Sequence, residues 1–173
     1  MRKQLNKFIS RRSFKATSLN NQPNIHPIRL HGPWNATVLV VDAATGSGDL
    51  PAIGLQFQCK IPCDWSHWLG NSFRGRVAYH RKFNRPTGLD PNQKVWLVVE
   101  EVDHDAKVYL NDRELGETAL SEPPFRVEIQ DILTAANLVR LEIQKPSDAQ
   151  SGLRQGLAGG LIGSVRLEIE DFD

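Results

Sequence analysis

Between Asp64 and Arg76 the chain gathers Asp64, Trp65, His67, Trp68, Asn71, Phe73, Arg74 and Arg76. That mixture suits the holding of a sugar: an aromatic face covers the C–H face of a pyranose, while planar donors and carboxylates take its hydroxyls. The residues singled out as carbohydrate contacts are Trp65, Trp68, Arg74 and Arg76, with Asp64 and His67 beside them.

Other chemistries find weaker footing. Asp64, Ser66 and His67 have the residue types of an acid, nucleophile and base, but a triad is recognised by geometry and is normally assembled from distant positions. The chain contains no Gly-x-Ser-x-Gly elbow, no phosphate-cradling glycine loop and no His-Glu-x-x-His helix. Glycoside hydrolysis needs two carboxyl groups about 5 to 9.5 Å apart across a bond. Glu100 and Glu101 are adjacent on a strand and point to opposite faces. Asp103-His104-Asp105 offers a structural calcium site at Asp103 and Asp105, yet calcium takes about six to eight oxygens, so turn capping is the expected role. No cofactor is expected beyond that one structural cation.

The two cysteines, Cys59 and Cys63, stand about 13 Å apart if the strand through them is extended, whereas a disulfide needs Cα atoms within about 7 Å. Free thiols are expected, and with no Cys-x-x-Cys pair they favour a reducing, cytoplasmic setting. Ser10-Arg11-Arg12-Ser13-Phe14-Lys15 is similar to a twin-arginine export signal, which makes export the alternative. The apolar stretch of about 7 to 15 residues that such a signal carries is missing after it.

Charge is unevenly spread. Six of the 21 basic residues fall in the first 15 positions, leaving 15 against 20 acidic residues in the remainder. A mildly acidic body lacks the footprint of a nucleic-acid binder, and no apolar run approaches the roughly 20 residues of a membrane span. Residues 1–27 read as a basic, disordered arm and 28–173 as one domain.

Elements that position the loop are strands. Thr37–Val41, Leu55–Cys59, Arg76–Phe83, Val95–Val99, Ala106–Leu110, Arg113–Leu115 and Phe125–Ile129 are short runs punctuated by turn residues, several with clean period-two alternation. Asn111-Asp112 tolerates positive φ and marks a hairpin. Val139, Leu141 and Ile143 share one face of a strand, and Val165, Leu167 and Ile169 share one face of the last. Such one-sided ribbons predict an all-β antiparallel sandwich. Arg81 falls on the apolar face of its strand and is expected to meet an internal ion partner.

A set of ordered elements carries a resemblance: Leu30-His31-Gly32-Pro33-Trp34, Ile61-Pro62-Cys63-Asp64-Trp65, Phe73 to Phe83, Glu101-Val102-Asp103 with Ala106 to Asn111, Pro124-Phe125, Asn137-Leu138, and Gly159-Gly160-Leu161-Ile162-Gly163-Ser164-Val165. Together, over roughly residues 28–170, they resemble the N-terminal sugar-binding domain of family-2 glycoside hydrolases, the β-galactosidase and β-glucuronidase group. The resemblance implies a galactose-binding-like jelly roll and a core-plugging duty for Trp65 and, in part, Trp68. It also implies that catalytic carboxylates belong to a separate barrel, so this chain is expected not to be an enzyme. Where some β-galactosidases supply an acidic residue to the active site, Arg154-Gln155-Gly156-Leu157-Ala158 stands here. The expected function is a non-catalytic carbohydrate-binding module, the alternative being an interaction module that docks on a separate catalytic subunit.

Overall fold

The computed structural model describes residues 23–42, 50–119, 122–145 and 159–172. The segment from Ser10 to Lys15 and the Arg154 to Ala158 stretch lie outside the described residues. Among the described residues there are twelve strands: β1 Ile25–Arg29, β2 Trp34–Val41, β3 Gln56–Cys59, β4 Cys63–Asp64, β5 Gly75–Asn84, β6 Gln93–Val99, β7 Asp105–Leu110, β8 Arg113–Thr118, β9 Phe125–Glu128, β10 Ala136–Lys145, β11 Gly160–Leu161 and β12 Val165–Asp171. One helical turn, α1 Ser66–Leu69, follows β4, and a 3-10 turn covers Gln130–Ile132. Among the described residues no helix is long and apolar enough to cross a membrane.

A six-stranded antiparallel sheet in the order β3-β2-β5-β10-β7-β8 packs on a four-stranded sheet in the order β1-β12-β6-β9. β4 and β11 pair as a small third ribbon. Alternation decides which side faces in. Val77 and Tyr79 of β5, Val139, Leu141 and Ile143 of β10, and Ala106, Val108 and Leu110 of β7 are buried, as are Val95, Leu97 and Val99 of β6 and Val165 and Leu167 of β12. Two half-buried faces pressed together give one core. The expected all-β sandwich is therefore the observed one.

The outer face of the smaller sheet is closed by charge. Arg126 lies 3.8 Å from the centre of the Trp96 ring and bonds Glu168 at 3.1 Å and Glu170 at 2.5 Å. Arg166 reaches both Glu168 and Glu100. These contacts explain why β6 reads as apolar on both faces: Val98 and Trp96 point outward but are covered.

The domain starts earlier than expected. β1 begins at Ile25 and pairs along its whole length with β12, Pro27 facing Glu168. All five β1 residues are exposed, so no burial alternation marks the strand. Proline is tolerated because an edge strand needs only half of its backbone groups bonded. The β7–β8 hairpin forms as expected, with Asn111 at φ 51° and Asp112 at φ 64° in a two-residue loop between the paired Leu110 and Arg113.

Candidate functional site

β4 hands the chain to α1, and the two tryptophans at this junction go opposite ways. Trp65 is fully buried. Its ring meets Phe73 edge-on at 5.3 Å, its backbone N–H donates to the Gly159 carbonyl at 3.0 Å, and a Cβ at Gly159 would come within 1.7 Å of the indole. No ring face is left for a ligand, so Trp65 plugs the core instead of contacting a sugar. Trp68, 39% exposed, lies on the surface. One of its faces stacks on Phe57 of β3 at 4.7 Å and 13°, and His67 meets it edge-on at 6.0 Å. Stacking of this kind contributes about 0.5 to 1.5 kcal/mol beyond area burial and favours one orientation of the ring.

Asp64 shapes the turn beneath it. Its Oδ1 accepts from the Ser66 N–H at 2.8 Å and from the Ser66 hydroxyl. The hydroxyl bond, ahead of every other influence, holds the Asp64 carboxyl below its usual range. With the Ser66 proton given directly to a carboxylate, no imidazole stands between the two. The geometry is that of a turn and not of a nucleophile with its base.

The arginines are elsewhere. Arg74 Nη1 donates to the carbonyls of Phe73 at 3.0 Å and Asn71 at 3.3 Å, tying down its own loop. Arg76 emerges on the outer face of the large sheet, 3.7 Å from Glu142. Between them lies Gly75, at φ 148° with room for no Cβ, since one would fall 2.1 Å from the Val40 carbonyl oxygen. Arg81, expected to pair with an internal ion, donates instead to the Pro33 carbonyl at 2.8 Å, a backbone acceptor in the loop just ahead of β2.

Arg76 lines a cavity of about 370 Å³ with Asp105, Lys107, Glu117, Glu142 and Gln144. Most of its charges are engaged: Lys107 sits 3.1 Å from Glu117 and Glu142 bonds Arg140. No aromatic side chain lines it. A second hollow of about 570 Å³ has Glu100 and Glu101 on its rim. The Ser164 hydrogen bond, helped by Arg166, holds Glu100 below the usual carboxylate range, the opposite of what a general acid requires.

Asp103 and Asp105 part company. Asp103 is buried and bridges to Gly160, whereas Asp105 is exposed at the first cavity. Among the described residues no cluster of three or more His, Cys, Asp or Glu side chains able to hold a metal ion is found. What sequence reasoning missed is the buried polar group formed by Asp103, His104 and Lys145. Burial, and then the nearby Arg74 charge, pushes the Lys145 ammonium down to about 8, with Asp103 opposing. Burial also lowers His104. The signal available was Lys145 itself, whose place in the alternation of β10 puts it on the apolar side with Ile143.

Cys59 and Cys63 are free thiols, as expected. Both are buried, and Cys63 Sγ donates to the Asp64 carbonyl at 3.4 Å. The estimate of separation assumed an extended strand. In fact the chain bends at 61–62, where the Ile61 N–H donates to the His31 carbonyl at 3.2 Å, and β4 leaves the large sheet to pair with β11.

Two antiparallel sheets packed face to face, with one end plugged by Trp65, define a galactose-binding-like β-sandwich. The chain belongs to the glycosyl hydrolase 2 galactose-binding domain-like family, which matches residues 64–159, over half of its length. No curated protein matches the sequence. Among solved structures it is similar to an FMN-binding β-glucuronidase from Faecalibacterium prausnitzii L2-6, with a TM-score of 0.64 at 18% identity over 86% of this chain and 23% of that one. A β-glucuronidase of Bifidobacterium dentium complexed with coumarin-3-O-glucuronide has a TM-score of 0.64 at 19% identity, over 85% and 30% of the two chains. A β-galactosidase assigned in Bacteroides fragilis has a TM-score of 0.62 at 18% identity, over 84% and 23%. The chain therefore spans less than a third of the length of these enzymes, and what it shares with them is the fold.

Proposed function

We propose that the domain is a non-catalytic carbohydrate-binding module whose ligand lies on the Trp68 platform. The observation that carries this reading is a tryptophan 39% exposed yet backed face to face by Phe57. An indole held flat at the surface offers a pyranose its C–H contact without a rotamer cost at binding. His67, and the Asp64 carboxylate two residues before the Trp68 turn, supply polar groups for hydroxyls. Arg74 is occupied with loop carbonyls and Arg76 opens onto the outer-face cavity, so neither is assigned to this surface. A reducing, cytoplasmic setting agrees with two thiols left unoxidised.

Isothermal titration of the full chain against galactose- and glucuronate-containing oligosaccharides and plant polysaccharides tests the proposal. Binding is expected, with Trp68→Ala weakening it by about tenfold or more, since stacking on a ring contributes about 1 to 3 kcal/mol. Unchanged affinity in Trp68→Ala overturns the assignment of the surface, and no heat with any glycan overturns the function.

A second reading has its own observation. Ile53 at 70% exposure, Leu50 at 55% and Leu55 at 40% precede and lead into β3, beside the Phe57 and Trp68 stack. Exposed apolar residues in the segment leading into an edge strand also suit docking on a separate protein such as a catalytic subunit. Ile53→Glu separates the two: it abolishes protein docking and leaves sugar affinity intact.

A further inference from the structure

The outer face of the six-stranded sheet carries two neighbouring rows of polar side chains with opposite fates. In one, Glu142 of β10 stands opposite Lys107 of β7, and Lys107 opposite Glu117 of β8. These charges are spent on one another or on Arg140 along the strand: Lys107 lies 3.1 Å from Glu117, and Arg140 bonds Glu142. In the other row, Gln144 of β10 stands opposite Arg76 of β5 on one side and Asp105 of β7 on the other. Directly opposed residues of an antiparallel ladder point to the same face, so a guanidinium, an amide and a carboxylate lie side by side. Among the described residues the side chains of Asp105 and Gln144 make no hydrogen bond or ion pair.

All three line the cavity of about 370 Å³, a size within the about 300 to 1,000 Å³ of small-molecule clefts. Arg76 is held there loosely. Its Nη1 is 3.7 Å from Glu142, beyond hydrogen-bond reach, and its Nε is buried with no hydrogen-bond partner. Neighbouring strands lie about 4.8 Å apart, so the backbones carrying Arg76 and Asp105 are about 10 Å from one another with that of Gln144 between. The two opposite charges do not meet. Glu122, on the wall of the cavity, is spent on its own turn, where it accepts from the Ala119 N–H at 3.1 Å.

We propose that this cavity binds a small ligand carrying both a carboxylate and an ammonium group, of the α-amino-acid class. The ligand carboxylate lies against the Arg76 guanidinium, whose planar fork donates two parallel hydrogen bonds to such a group. The ligand ammonium lies against the Asp105 carboxylate, and Gln144, with two donors and an acceptor on one amide, serves either end. Charge rules out simpler guests: an anion alone would face Asp105, and a cation alone would face Arg76. No aromatic side chain lines the cavity, so a pyranose finds no face to stack on. Neither Trp68 nor Phe57 lines it, so occupancy here does not depend on a sugar bound at that surface.

Titration of the full chain with each of the standard L-α-amino acids, followed by calorimetry and by saturation-transfer NMR of the ligand, tests the site. Binding by at least one is expected, and blocking either end of that amino acid, by N-acetylation or by amidation of its carboxyl, should weaken it by about tenfold or more. Asp105→Asn and Arg76→Gln should each do the same, while Trp68→Ala leaves the affinity unchanged. No binding by any amino acid at concentrations up to about 10 mM, undiminished binding of the acetylated or amidated form, or full affinity in either charge variant overturns the proposal. Displacement of the bound amino acid by galactose or glucuronate at equal concentration overturns the class of ligand. The blocked amino acids decide the matter on the unsubstituted chain even if a variant does not fold, which circular dichroism reports.

Discussion

Truncating Trp65 to alanine removes a wholly buried ring whose neighbours Phe73 and Gly159 are fixed in β-structure or its loops. Large-to-small changes of that kind cost about 3 to 5 kcal/mol, and the urea midpoint of Trp65→Ala should fall accordingly. Trp68→Ala should shift it less, because that ring is 39% exposed and lies at the surface against Phe57 and His67. The pair was recognisable in the sequence as aromatic residues amid polar ones. The family resemblance gave a core-plugging duty to Trp65 and, in part, to Trp68, but the residues alone do not divide plug from platform, because the decision comes from Gly159, far along the chain, whose missing side chain makes the slot for one indole. Arg74 and Arg76 were legible as loop cations, but Gly75 sends them to different faces and no local pattern announces that.

At the level of the element, the hairpin between β7 and β8 carries a testable compromise. Asp112 occupies φ 64°, a conformation that glycine adopts without steric cost and other residues do not. Asp112→Gly should raise the melting temperature, by an amount corresponding to about 0.5 to 1 kcal/mol, as read by calorimetry. The long strands β5, β10 and β12 were legible because each buries one face and alternation survives in their letters, and β6 because its run Val95–Val99 is apolar throughout. β1 was not, since all its side chains are exposed; nor were β4 and β11, two residues each, which are too short to show any period and exist because they find one another. The bend between Cys59 and Cys63 was invisible for the same reason.

For the molecule as a whole, the shifted groups set the direction of its pH response. Asp64, Glu100 and Asp171 have lowered carboxyl pKa values through hydrogen bonds, so their contribution is present above the unfolded carboxylate pKa and disappears as pH falls through the folded one. His80 and His104 are lowered chiefly by burial, and the unfolded state therefore takes up their protons first, weakening the fold as pH drops below about 6.5. Lys145, at about 8 in the fold, is more easily protonated when unfolded, so stability should climb again between about 8 and the ordinary lysine value near 10.4. Urea titrations from acid to alkaline pH should show that rise, and Lys145→Met should flatten the alkaline part. A curve that falls between neutral pH and 9 contradicts the burial of Lys145. The division of the indoles between interior and surface has an optical consequence. Trp34 and Trp65 are sealed in the core and Trp96 lies under a guanidinium, so a dissolved collisional quencher meets chiefly Trp68, and the protein's own fluorescence becomes a dye placed by nature on the surface proposed for the ligand.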